Sequence, residues 1–160
     1  TGLGGQAVAL TLTSVQPVTA AVLQDTGSSE TKHDPAFSAA APPLPSDSVW
    51  PLAAGKKASS VLALANPSAA EVKVTVTLGV AENVGDPQEV AIPAGVEVQV
   101  PLEQAATNTV RIRTESDVVR GALVVTRKLG KVQGLTVWPL ADQESGTSSA
   151  SVAFDPRLGS

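Results

Sequence analysis

The sequence predicts an all-β fold, an immunoglobulin-like antiparallel β-sandwich, and three observations carry that prediction. Polar and apolar residues alternate with period two in several separate runs, the pattern of strands that bury one face. Turn signals rich in Gly, Pro, Asn and Asp divide those runs at the spacing of a sandwich or barrel, about 8 to 12 residues. No stretch carries a helical apolar stripe, and β-branched residues dominate the periodic segments.

In chain order, Val8, Leu10 and Leu12 alternate with Ala9 and Thr11 as a first strand, and residues 18–24 make a second. Residues 26–48, rich in Ser, Ala and Pro, read as a linker or extended crossover. Residues 71–78 alternate without a miss, placing Val72, Val74, Val76 and Leu78 on one face. Residues 96–102 repeat the pattern, and residues 109–113 do so over a shorter run. Residues 118–126 are apolar on both faces, as expected of a central strand covered from both sides or of one abutting another module. Between these runs lie Asn66-Pro67-Ser68, Gly85-Asp86-Pro87, Pro93-Ala94-Gly95 and Glu115-Ser116-Asp117. The last is expected to be a tight hairpin that sets Arg120 opposite Arg113.

Two internal repeats organise the chain. Val49-Trp50-Pro51-Leu52-Ala53 recurs as Val137-Trp138-Pro139-Leu140-Ala141 at an offset of 88, and Ala65-Asn66-Pro67 matches Phe154-Asp155-Pro156 with a one-residue slip. Residues 13–22 match residues 114–123 without a gap at an offset of 101. The expected organisation is therefore residues 1–24 as tail strands of a preceding repeat, 25–46 as a linker, 47–130 as one complete module and 131–160 as head strands of a following repeat. Either the two ends build a second, shared sandwich around the central module, or the chain cuts through a repeat array. The first is preferred, because a half-module leaves open strand edges.

Composition narrows the function. With 42% apolar and 16% charged residues the chain is too hydrophobic to be disordered. Its apolar residues are nearly all Val, Ala and Leu, beside two Phe, two Trp and no Tyr. Without Cys there are no disulfides or thiolate sites, and a net charge of −4 argues against nucleic acid as a partner. No apolar run reaches the roughly 18 to 20 residues that span a bilayer. The opening Thr1-Gly2-Leu3-Gly4-Gly5 reads as a loop inside a longer precursor, so a targeting signal is expected to have been removed or left out.

Three motifs carry a resemblance. Leu62-Ala63-Leu64-Ala65-Asn66-Pro67 precedes an alternating Val/Thr strand, Ile92-Pro93-Ala94-Gly95 follows, and Thr114-Glu115-Ser116-Asp117 leads to Val119 and Gly121. The combination resembles a family of exported actinobacterial proteins of unknown function built from tandem β-sandwich repeats. It covers most of the chain and rests on turn chemistry. The resemblance implies a surface or periplasmic location, because such proteins are often encoded beside envelope glycosyltransferases. It implies no activity, cofactor or functional residue.

The chemistry-bearing residues are few. His33, in Lys32-His33-Asp34-Pro35, is the only histidine and reads as an exposed linker residue rather than a catalytic base. Glu82-Asn83-Val84-Gly85-Asp86 reads as a solvated hairpin loop rather than a Ca²⁺ loop. Trp50 and Trp138 hold the same place in their repeated pentapeptides, which points to packing, against a sugar-stacking alternative. Charge is uneven: residues 111–131 hold six basic residues against Glu115 and Asp117, leaving +4 here and −8 elsewhere in a chain of net −4. Arg111, Arg113 and Arg120 form the candidate patch for an anionic wall polymer or an envelope protein. Opposed like charges there are either solvated or neutralised by a partner.

The expected role is a non-catalytic structural or interaction module of an exported bacterial envelope protein, extracytoplasmic and not membrane-spanning in these residues. A carbohydrate-binding module for wall polysaccharide is the alternative, and a hydrolase the remote one. No catalytic, cofactor-binding or metal-binding residue is assigned.

Overall fold

The computed structural model describes residues 10–18, 20–26, 34–53, 58–79, 84–102, 109–129 and 132–141. Their regular structure is entirely β: β1 (Ala21–Thr26), β2 (Asp34–Ala39), β3 (Asp47–Pro51), β4 (Ala58–Ala65), β5 (Val72–Leu78), β6 (Gln88–Ile92), β7 (Glu97–Leu102), β8 (Thr109–Thr114), β9 (Arg120–Leu129) and β10 (Val132–Pro139). Eight strands form two four-stranded antiparallel sheets, ordered β10-β9-β4-β7 and β3-β8-β5-β6. The remaining pair, β1 and β2, makes a separate two-stranded sheet, and β2 runs beside β10.

Alternation explains the layers. In β5, Val74 and Val76 are buried while Lys73 is exposed, and in β8 Val110 and Ile112 are buried while Arg113 is exposed. The inner faces of the two sheets meet in one core containing Leu62, Leu64, Val100, Leu102 and Leu123 from the β4 sheet and Trp50, Val74, Val90, Ile92 and Ile112 from the β5 sheet. Side chains this small must interdigitate closely, and truncating a buried Leu or Ile to Ala costs about 2 to 5 kcal/mol.

The turn motifs do more than reverse the chain. Asn66 is buried, and its Nδ2 donates to the carbonyls of Ala70 (2.7 Å), Ile92 (3.0 Å) and Pro93 (3.2 Å). Its Oδ1 accepts from the backbone N–H and the hydroxyl of Ser68. Gly95, at φ 69°, gives its N–H to the Asn66 carbonyl. The Asn-Pro and Pro-Ala-Gly signals are thus two halves of one lock tying the β4–β5 turn to the β6–β7 turn.

Several expectations need correction. The 115–117 turn is not a hairpin: β8 and β9 lie in different sheets, and residues 114–119 cross between them. Val119 is fully buried, which draws the chain inward, and hydrogen bonds from Ser116 N to Thr114 Oγ1 (3.1 Å) and from Thr114 N to Ser46 O (2.9 Å) fix the crossing. Residues 10–12 form no strand, with Leu10 and Leu12 exposed, and Val8 lies outside the described residues. The stretch read as an irregular linker contains β2, whose partner β1 covers most of the predicted 18–24 strand. The C-terminal residues 132–139 pair with β9 along their whole length and so close the edge of the β4 sheet.

The two tryptophans part company as well. Each lies on an edge strand, Trp50 on β3 opposite Val110 and Trp138 on β10 opposite Leu123. Trp50 is 9% exposed, with Nε1 donating to Ser48 Oγ at 2.9 Å, whereas Trp138 is 50% exposed. What the pentapeptides share is the leucine, since Leu52 and Leu140 are both buried.

Candidate interaction faces

The outer faces of the two sheets differ in chemistry. That of the β5 sheet presents Asp47 and Val49 from β3, Arg111 and Arg113 from β8, Thr75, Thr77 and Lys73 from β5, and Glu89 from β6, all opposite in parity to the core positions. Asp47 sits across from Arg113 in register and holds both arginines. Arg111 Nε donates to Oδ1 at 2.8 Å and its Nη2 to Oδ2, while Arg113 Nε reaches Oδ2 at 3.2 Å. The Arg111 hydrogen bonds, with Arg113 adding to them, hold the Asp47 carboxyl down at about 2. Nearby, Lys73 Nζ donates to Glu89 Oε1 at 2.7 Å, and that carboxylate raises the lysine pKa.

This arrangement revises the basic patch. Arg111 and Arg113 share a face, as the period-two rule requires, but Arg120 belongs to the other sheet, opposite Ala65, with its guanidinium donating to the Val118 carbonyl at 2.8 Å. A surface of three arginines becomes two arginines and one carboxylate. Asp47 was not among the residues singled out from the sequence. It stands first after the linker assigned to 25–46, and only knowledge that β3 pairs with β8 would have placed it beside the arginines.

The outer face of the β4 sheet has an apolar middle. Val61, Ala63 and Ala65 of β4 stand opposite Val124, Ala122 and Arg120 of β9, and Val137 of β10 continues the row, beside Leu135, which is buried where β2 runs along β10. A solvated sheet face alternates into polar residues at these positions. Ser59 and Thr126, which share a 2.7 Å hydroxyl hydrogen bond, Gln99 and Glu97 of β7, and Arg120 and Lys128 of β9 bound this apolar row. Glu97 Oε1 is shielded from solvent without a hydrogen-bond partner, and burial pushes its carboxyl pKa up against the hydrogen bond from Gln99. The two-sided apolar character read at residues 118–126 is thus present in β9, where Leu123 faces the core and Val124 faces out.

Gly121 explains one glycine of the third motif. A Cβ there would stand 3.0 Å from Leu44 Cδ2 and 3.2 Å from Leu140 Cδ1. Both leucines are buried over it and anchored by backbone bonds, Leu44 N to Val119 O and Leu140 N to Gly121 O.

Other sequence candidates receive less support. His33, Glu82, Asn83, Lys131 and Phe154-Asp155-Pro156 lie outside the described residues. Among the described residues no three His, Asp or Glu side chains gather as a metal site, and no helix is long and apolar enough to cross a membrane. An open groove of about 380 Å³ separates the β6 and β7 edges, lined by Gln88, Val90, Val98, Val100 and Pro101 with Glu89 at its side.

Fold and faces together define an all-β sandwich with one charged outer surface and one that has an apolar row at its middle. Residues 1–103 match the model of a family described as "Family of unknown function (DUF5719)", and the chain belongs to that family. No curated protein and no solved structure matches it.

Proposed function

We propose that this chain is a non-catalytic structural or interaction module of an exported bacterial envelope protein, and that it packs against a neighbouring module or envelope protein through the outer face of the β4 sheet. The observation that carries this reading is the outward row Val61, Ala63, Ala122, Val124 and Val137. Small apolar side chains on a sheet face let another backbone approach closely, and contiguous apolar surface of this kind marks interaction sites. Exported, extracytoplasmic and actinobacterial character, tandem immunoglobulin-like repeats and the envelope setting are part of the proposal, supported by the turn motifs the chain shares with such proteins. A photo-crosslinking residue at Val124 or Ala63 should yield adducts in the envelope fraction of intact cells, and one at Thr75, on the charged face, should not. Adducts confined to the cytoplasm, or none from the apolar face, would overturn the reading.

The anionic-partner proposal now rests on Arg111 and Arg113 alone, and Asp47 already occupies one side of each. A wall polymer or acidic protein surface would compete with that carboxylate, so binding should weaken steeply with salt. The carbohydrate-binding alternative draws on Trp138, whose indole is half exposed on an edge strand. Wall polysaccharide should then shift tryptophan emission in the parent chain and not in Trp138→Ala; an unchanged spectrum in the parent removes that alternative.

A further inference from the structure

We infer that the groove between β6 and β7 takes, as an added strand, the segment of a second copy of this chain that holds Leu10 and Leu12. The inference goes beyond the reading of the β4 face and concerns a different surface. β6 and β7 are consecutive strands joined through Pro93-Ala94-Gly95, yet they end different sheets, so two edges lie side by side. The groove of about 380 Å³ between them has an apolar floor: Val90 and Val100 belong to the core, and Val98 packs against it. Among the described residues no strand pairs beyond either edge. Of the four edges of the two sheets, β3, β7 and β10 each contain a proline, which withholds an N–H from an incoming strand. β6 has neither proline nor lysine and so lacks the usual protection of an edge. A strand added there turns alternate side chains over Val98 and Val100.

The chain carries a segment of the matching kind. Val8, Leu10 and Leu12 alternate with Ala9, Thr11 and Thr13, and no charged side chain precedes Asp25. Residues 10–18 form no strand, and those from 10 to 18 are all exposed, Leu10 at 68% and Leu12 at 66%. An uncharged, alternating segment without a pairing partner is the kind that adds to an open edge. Docked on β6, it lays Leu10 and Leu12 on the groove floor, turns Thr11 and Thr13 outward beside Glu89 and Ala91, and sets no charge against Glu89. The hairpin into which the segment leads lies beside β10, at the opposite edge of the β4 sheet from β7. A second copy is therefore the donor, and reciprocal exchange between two copies fills both grooves.

The chain has no cysteine, so single cysteines report the contact. Thr11 and Ala91 are both exposed, and both face out of the groove in the docked arrangement. Oxidation of a mixture of Thr11→Cys and Ala91→Cys chains should give a disulfide-linked heterodimer in about tenfold excess over either homodimer. Adding Leu10→Asp and Leu12→Asp to the Thr11→Cys chain should remove that excess and leave the melting temperature at low concentration that of the parent. Backbone hydrogen exchange in residues 88–92 of the parent should slow about tenfold as its concentration rises, with no change in β3, which is also an edge. A heterodimer no more abundant than the homodimers, or one that survives both aspartates, would overturn the assignment. A Thr11→Cys, Ala91→Cys double variant that forms its disulfide only within one chain would identify the chain's own segment as the occupant and overturn it equally. Crosslinking from Val124 reports on the outer face of the β4 sheet, so failure at β6 is distinguishable from failure of the interaction-module reading.

Discussion

At the scale of single residues, stability rests on a few polar and steric anchors. Asn66 is one: its amide serves three carbonyls on two turns, and Ala in its place leaves buried acceptors unpaired at about 1 to 3 kcal/mol. Asn66→Asp should be at least as damaging, because a carboxylate cannot donate to Ile92 or Pro93; denaturant titration of the two variants checks the order. Gly121 is another. Gly121→Ala should cost about 1 to 3 kcal/mol by overpacking, and Leu44→Ala should reverse part of that loss, since Leu44 Cδ2 is the nearest atom. A double-mutant cycle in which the two costs simply add would refute the contact. Asp47 contributes a pH dependence. Its folded pKa is about 2 against 3.8 for the free group, so its stabilisation is present above 3.8 and is lost as pH falls toward 2. The exposed setting keeps the effect small. The stability difference between the parent and Asp47→Asn should be constant above about pH 5 and shrink steadily as pH falls from there through 2, and a gap undiminished at pH 2 would exclude the ion pair as its source.

At the scale of elements, sequence and structure diverge where one local pattern serves two environments. Val-Trp-Pro-Leu reads as one strand type in both copies, and both copies are indeed edge strands. Yet Trp50 fills the space between the sheets, and Trp138 does not. Trp50→Ala should therefore cost about 3 to 5 kcal/mol, while Trp138→Ala should stay within about 1 kcal/mol; thermal melts of both variants decide it, and equal losses would restore the equivalence. Residues 71–78 were legible because their alternation is complete and their strand is central. Residues 118–126 were legible as doubly apolar, but not which of the two meanings applied, since that depends on what lies outside the sheet. The β8–β9 crossing was not legible: a Ser-Asp turn between strands looks the same whether the chain returns to its own sheet or passes to the other. With it went the position of Arg120 and the composition of the basic patch. β2 was hidden because Asp34-Pro35-Ala36-Phe37-Ser38-Ala39 carries no β-branched residue, and only pairing to β1 makes it a strand.

At the scale of the whole molecule, the two ends of the chain make unequal contributions. The core draws on β3 to β9 and on Leu44 and Leu140, and contains no residue of β1 or β2. Leu140, just beyond β10, covers Gly121, and β10 itself shields the long edge of β9. Removing residues 132–160 should therefore expose that edge and uncover the Gly121 site together, giving a chain that aggregates rather than refolds. Of the described residues, removing residues 1–39 takes away the exposed segment 10–18 and the hairpin beside β10. Its cost is confined to Leu135 and whatever else β2 shelters, for Leu135 is 8% exposed although it points away from the core. That truncated chain should fold, melt cooperatively a few degrees lower, and associate weakly through the newly bared flank of β10. Size-exclusion chromatography and thermal melts of the two truncations provide the comparison. If the N-terminal deletion unfolds the sandwich while the C-terminal deletion leaves it intact, the hairpin is an integral strand pair of this module and β10 is the dispensable edge.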